Sequence, residues 1–253
     1  MDGATPDGSA PERGTVGVPG VCDRKMTKSW RKKNQLHESR RSTSRTIKAT
    51  KMFVSVEEAI QAIADGQIII LTDDESRENE GDLVCAGIHA DPQTVNFMIT
   101  QARGLLCAVV GPQVAARLAL RQPAGNHDPR GTAFTQSIDA IAGNTTGVSA
   151  FDRANTIATM VRPDSAPGDF YSPGHLFPLI ARQGGVLERD GHTEGIYDLV
   201  RLAGLPPVGV LCEKVKEDGT MARMADLEAF SREYRLKMCS VAAIIEYRRR
   251  TGK

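Results

Sequence analysis

No apolar run in this sequence approaches the roughly 20 residues that a membrane-spanning helix needs; the longest, Gln67 to Leu71 and Leu105 to Val110, are short fragments of that length. The chain therefore reads as a soluble protein without a membrane partner. No C-x-x-C pair is present, and the five cysteines (Cys22, Cys85, Cys107, Cys212 and Cys239) are odd in number and scattered. That pattern excludes a disulfide framework and a structural zinc site, and it points to a reducing compartment, the cytoplasm. Cys107, inside an apolar run, reads as a buried and inert thiol. There is no apolar segment of signal-peptide type near the start, which argues against secretion. There is no internal repeat, and no D-x-D-x-D-G order of the kind an EF-hand requires.

What is present is a chain of 253 residues, 40% hydrophobic and 25% charged, in the ordinary globular range. Its charge is unevenly placed. Residues 24–51 carry eleven Lys/Arg against the single acid Glu38, a net of +10; with −3 over residues 1–23 and +1 overall, residues 52–253 carry −6. Residues 1–51 also lack apolar periodicity, so they cannot bury enough surface to offset their ordering entropy. The expectation is a disordered basic leader over 1–51 and a single folded domain over 52–253. A solvated extension is the simplest reading of the leader, ahead of a nucleic-acid arm, an anionic-surface tether or an organelle-targeting segment.

From Met52 onward the periodicity switches repeatedly between helix and strand. Val56, Ala59, Ile60 and Ile63 mark one face of a helix that Gly66 stops. The pattern predicts strands at 67–72, 83–88, 105–111, 132–140, 175–182 and 208–215. Helices are predicted at 92–103, 112–120, 149–161, 193–204, 225–234 and 241–249. Such alternation gives an α/β domain, with α+β as the other arrangement it allows.

The densest chemistry is Asp73-Asp74-Glu75-Ser76-Arg77-Glu78-Asn79-Glu80-Gly81-Asp82, directly after an apolar strand. Six carboxylates in ten residues repel one another unless a cation or a polyhydroxylated ligand offsets them. A hard metal with oxygen ligands meets that need, and Arg77 suits a phosphate or carboxylate of a substrate. A solvated acidic loop explains the segment equally well by itself. Two histidines narrow the choice. His192 stands at the turn Arg189-Asp190-Gly191 just before a helix, followed by Thr193, where an imidazole can ligate a metal and backbone N–H groups can hold an anion. His175 follows Pro173-Gly174 at a predicted strand start, and Glu213 ends an apolar strand as a candidate base.

Seven segments occur in a fixed order: DDESRENEGDLV, GTAFTQSIDA, TTGVSAFDRANTI, PGHLFPL, GGVLERDGHTEGIYDLVRLAG, VGVLCE and DGTMAR. Together they resemble the 3,4-dihydroxy-2-butanone 4-phosphate synthase family over Met52 to about Arg249. The resemblance implies that family's fold, a mixed sheet flanked by helices. It also implies conversion of ribulose 5-phosphate to 3,4-dihydroxy-2-butanone 4-phosphate and formate in riboflavin biosynthesis, with Mg2+ (or Mn2+), in a homodimer whose sites are shared between subunits. On this likeness Glu78 and His192 are the metal ligands. Arg77, Glu78, Asp82, Thr146 and the turn Arg189, Asp190, Gly191, His192 and Thr193 bind substrate, while His175 and Glu213 are essential for catalysis, with Asp82 joining Glu213 as a proton-transfer candidate. Many relatives carry a following GTP cyclohydrolase II domain; the end at Lys253 gives the expectation of a monofunctional synthase. Ser172 stands where the family usually has arginine, with Arg130 as a candidate replacement charge. That departure leaves open a catalytically weakened paralogue acting as a binding or regulatory subunit, or a metal-dependent enzyme acting on another ketose phosphate.

Overall fold

The structure is a computed structural model, and it describes residues 52–125 and 128–253. The predicted leader, 1–51, lies outside the described residues. Local signals set the first elements. Helix α1 (Val56–Ala64) starts at Ser55, whose hydroxyl accepts from Glu58 N while the Glu58 carboxylate accepts from Ser55 N, a capping box. Strands β1 (Ile69–Thr72) and β2 (Gly81–Ala86) follow, fully buried along their length. Helix α2 (Pro92–Phe97) is capped by Asp91 and continues into a wider π-turn, Met98–Ala102, so the predicted helix at 92–103 changes its winding midway. Then come β3 (Cys107–Val110), α3 (Pro112–Arg117), β4 (Ile138–Ala140), α4 (Ala150–Val161), β5 (Phe170–Ile180), α5 (His192–Leu202) and β6 (Val208–Glu213). Helix α6 (Met224–Tyr234), β7 (Met238–Ser240) and α7 (Val241–Thr251) complete the chain.

One seven-stranded sheet runs in the order β4-β5-β3-β6-β2-β1-β7. The β1–β7 and β3–β5 pairs are parallel, and the other four are antiparallel. The expected α/β architecture with a mixed sheet and flanking helices is what forms. On one face, Val56, Ala59 and Ile63 of α1, Ile196 and Leu199 of α5, and Val241 and Ile244 of α7 pack on Ile69, Leu71, Val84, Val109 and Leu211. On this scale each fully buried aliphatic side chain contributes about 1.5–3 kcal/mol. Helix α4 packs against α2 and β4. Among the described residues no helix is long and apolar enough to cross a membrane.

Two sequence expectations change, and one strand forms that the pattern did not predict. The predicted strand at 132–140 forms a ladder only at Ile138–Ala140; upstream, Ala133 and Thr135 are buried, which produced the alternation, but there the pairing stops at one isolated bridge of Phe134 to Leu179, flanked by bonds from Ile180 N to Ala133 O and from Thr135 N and Oγ1 to Pro178 O. His175 lies within β5 and not at its start, because Phe170 and Tyr171 already pair with Ala140 and Asp139. Strand β7, three residues long, is too short to carry a period-2 signal, and it forms because Met238 to Ser240 find Ile70 to Thr72 alongside.

Candidate active site

Strand β1 delivers the acidic loop to the end of the sheet, and hydrogen bonds within the loop decide which acids turn inward. Asp74 makes a tight turn by accepting from Ser76 N at 2.8 Å and Ser76 Oγ at 2.6 Å, so it faces solvent with Glu75. Asp73 is buried and accepts from Glu78 N at 3.0 Å and Glu80 N at 2.8 Å, folding the loop back over itself. Asn79 takes a left-handed conformation there, φ 53°. From the far side Arg223 donates to the carbonyls of Glu78 and Asn79, both at 2.6 Å.

His192 arrives from a different part of the chain. It is the first residue of α5, and Gly195 one turn later lets the helix press on the sheet, since a Cβ there would lie 2.6 Å from Leu71 Cδ2. The imidazole is buried, with Nδ1 3.6 Å from Glu78 Oε2 and 3.8 Å from Asp82 Oδ2, and Nε2 3.9 Å from Asp73 Oδ1. Asp82 pairs in register with Glu213 across β2 and β6, and Glu213 Oε2 accepts from Leu105 N at 2.7 Å. The expected pair Glu78 and His192 is thus brought together, with Asp82 and Glu213 adjoining. Asp73, counted in the sequence as one of six acids, joins them as a third donor: Asp73, Glu78 and His192 offer ligand atoms all within 4.8 Å of one another.

Electrostatics follow from this crowding. The His192 imidazole and the Arg77 guanidinium hold the Glu78 carboxyl down at about 2. Burial raises Asp82 to about 7, against the pull of His192 and with Glu213 and Glu78 adding repulsion. Burial would lower His192, but the charges of Asp82, Glu78 and Asp73 outweigh it and lift the imidazole to about 9. Asp82 Oδ1 and His192 Nε2 are buried without a hydrogen-bond partner. Buried polar atoms are normally satisfied, so this pair, amid oxygen and nitrogen donors, fits a hard divalent cation.

The cationic residues surround this centre. Arg77 donates to Glu78 Oε2 at 2.6 Å and to Asp73 Oδ2 at 3.0 Å, and stands 3.7 Å from Asp190. Arg189 bonds the buried Glu194, Thr132 Oγ1 and the Arg130 carbonyl. A Cβ at Gly191 would overlap the Arg189 guanidinium and lie 2.9 Å from that of Arg77, so a side chain here would push both arginines aside. Thr193 is buried behind it. The Arg130 guanidinium lies 3.8 Å from Glu78, so within one chain it neighbours the acidic centre. Ser172 donates to Ser137 O at 3.1 Å and to Gln136 Oε1 at 3.2 Å.

A second cluster stands three strands away, which the spacing of strands makes on the order of 14 Å from Asp82. His175 Nδ1 lies 2.6 Å from Asp139 Oδ2 of β4. Beside them a cavity of about 400 Å³ is lined by Asp139, Thr146, Gly147, Tyr171 and Ser172 among others. Asp152 of α4 fixes that wall by accepting from Thr145 N and Gly147 N, both at 3.0 Å. The single chain therefore does not bring His175 and Thr146 against His192. Asp139 was missed in the sequence; the signal was an acid between Ile138 and Ala140 in an alternating segment. The four cysteines among the described residues are free and buried, and burial pushes Cys85, Cys212 and Cys239 up to about 12.

Fold and site define a class: an α/β protein with a carboxylate–imidazole centre suited to a hard divalent cation, ringed by arginines. Residues 57–247 match the 3,4-dihydroxy-2-butanone 4-phosphate synthase family, and the chain belongs to it. It is 52% identical over 201 residues to riboflavin biosynthesis protein RibBA of Aquifex aeolicus (strain VF5), covering 78% of this chain and 50% of the relative. The chain thus spans about half the length of the curated relatives it matches. Among solved structures, a 3,4-dihydroxy-2-butanone 4-phosphate synthase in complex with two magnesium ions is similar with a TM-score of 0.76 at 39% identity, covering 79% of this chain and 99% of that one. RibBX, a two-domain synthase from A. baumannii, is similar with a TM-score of 0.73 at 47% identity, covering 77% of this chain and 58% of that one.

Proposed function

We propose that the chain converts D-ribulose 5-phosphate to 3,4-dihydroxy-2-butanone 4-phosphate and formate in riboflavin biosynthesis, with magnesium as its metal. The observation that carries this is the convergence of Asp73, Glu78 and Asp82 on the buried His192, whose Nε2 has no partner. Glu78 and His192, with Asp73, hold the cation. When bound, it polarises vicinal sugar oxygens and acidifies the neighbouring C–H.

The chain's own residues do the rest. Arg77, Arg189 and the backbone from Asp190 to Thr193 at the start of α5 bind the phosphorylated sugar, as charge and a helix N-terminus favour. Asp82 and Glu213, paired across β2 and β6, carry protons to and from the sugar carbons. His175 assists loss of the C1 hydroxyl as water, and Thr146 binds substrate beside it; C4 leaves as formate. The chain works as a homodimer in which a second copy covers the face bearing Val148, Phe151 and Tyr171. These are exposed at 54%, 72% and 62%, which supports an interface there. A dimer also accounts for a site residue as far from His192 as His175, by sharing sites between copies. The reaction belongs to the cytoplasm.

Formate release from ribulose 5-phosphate is measured with Mg2+, with Mn2+ and with EDTA. Release with Mg2+ that EDTA abolishes is expected. No formate with either metal, from a folded protein, overturns the reading and returns the chain to a binding role or to another ketose phosphate.

A further inference from the structure

Arg223 has no part in the roles assigned above, yet it grips the acidic loop from outside. Its Nη1 donates to the carbonyls of Glu78 and Asn79, both at 2.6 Å, and stands 3.7 Å from Glu80 Oε1. The same stretch is held from within, because the buried Asp73 accepts from Glu78 N at 3.0 Å and from Glu80 N at 2.8 Å. Glu78 is therefore fixed at its N–H by Asp73 and at its C=O by Arg223. The peptide between Asn79 and Glu80 is fixed in the same way at both ends, while Asn79 keeps φ 53°.

The backbone of Arg223 is itself anchored. Its N–H donates to Asp226 Oδ2 at 3.0 Å and its carbonyl accepts from Leu227 N at 2.9 Å, at the start of α6. Just before it, Ala222 N donates to Lys214 O at 2.9 Å and Lys214 N to Gly81 O at 3.0 Å, which ties this segment to the end of β6 and to the far end of the loop. Leu227 presses on Gly81, where a Cβ would lie 2.5 Å from its Cδ1. The Arg223 side chain is 49% exposed, so its removal opens no cavity in the core.

An arginine beside a cation site acts on it through charge or through grip, and the two have opposite signs. Taking a positive charge away from a cluster of carboxylates strengthens cation binding. Releasing the peptides that aim a ligand weakens it, by about 10–100-fold for groups that orient metal ligands. We infer that Arg223 is a positioning residue: its hold on the Glu78 and Asn79 carbonyls, opposite Asp73, aims the Glu78 carboxylate at the position beside His192 and so sets the affinity for the divalent cation. The inference deepens the proposed function and rests on Glu78 being a metal ligand.

The test uses the full chain, with Mn2+ standing in for Mg2+ and its binding followed by electron paramagnetic resonance. Arg223→Met, folded by circular dichroism, is expected to raise the Kd for Mn2+ about tenfold and to raise in parallel the Mg2+ concentration that gives half-maximal formate release. Arg223→Lys, which keeps the charge and a donor, is expected to recover part of that affinity. A folded Arg223→Met protein with a Kd within about twofold of wild type, or a lower one, overturns the inference and leaves Arg223 a structural role or a purely electrostatic one. Should Arg223→Met not fold, Arg223→Gln, which also lacks the charge, decides by the same sign. A wild type that binds Mn2+ and releases no formate refutes the reaction reading instead, and the Kd values still decide the role of Arg223.

Discussion

Replacing Gly147 by alanine puts the second cluster under a defined load. The residue holds φ 91°, where an L-amino acid is strained by about 1–2 kcal/mol. The added methyl would also overlap Asp139 Oδ2 and stand 2.5 Å from His175 Nδ1, so the 2.6 Å Asp139–His175 bond must open. A hydrogen bond to a charged group contributes about 1.5–3 kcal/mol, and half exposure of His175 places this one at the low end. The sum is about 3 kcal/mol. For a domain of this size, about 2–4 °C per kcal/mol gives a fall in Tm of about 6–12 °C. Thermal unfolding followed by circular dichroism measures it, alongside formate release, where kcat should drop by more than about tenfold as the ring leaves its carboxylate. Gly168→Ala is the control: its Cβ would meet nothing within 4 Å. A Gly147→Ala protein that melts and turns over like this control would refute the reasoning.

Glu78→Gln and His192→Ala should each abolish formate release in a folded protein. They should also remove the rise in Tm that Mg2+ gives the wild type, about 2.7 kcal/mol at a free concentration 100 times Kd, read by differential scanning fluorimetry. Hydrogen bonds from Thr145 and Gly147 hold the Asp152 carboxyl down at about 2, below its unfolded value of about 3.9. Its contribution to stability is therefore complete above about pH 4 and lost as pH falls through about 2, and acid titration of Asp152→Asn should lack that component. Deleting residues 1–51 should leave Tm and turnover unchanged while removing salt-sensitive adsorption to polyanions. Met52 and Val54 must stay, because Met238 N donates to Met52 O and Val54 N donates to Met238 O, both at 2.9 Å.

The sequence by itself determined what interactions within a few residues can encode. Ser55 with Glu58, Asp91 before Pro92 and Ser149 before α4 start helices where periodicity expects them. The acidic loop after β1 is legible because its turn is built by Asp74 and Ser76, two residues apart. Pairing across the sheet belongs to the tertiary structure. Asp82 meets Glu213 only through the β2–β6 register, and Asp73 becomes a ligand candidate only because α5 brings His192 back over β1. The same holds for Asp139 and His175, joined across β4 and β5 through a register shift that no local pattern announces. Partners far apart in sequence leave no trace in a period of 2.0 or 3.6 residues; their meeting is set by strand order and by the glycines, Gly147 and Gly195, that let segments close on one another.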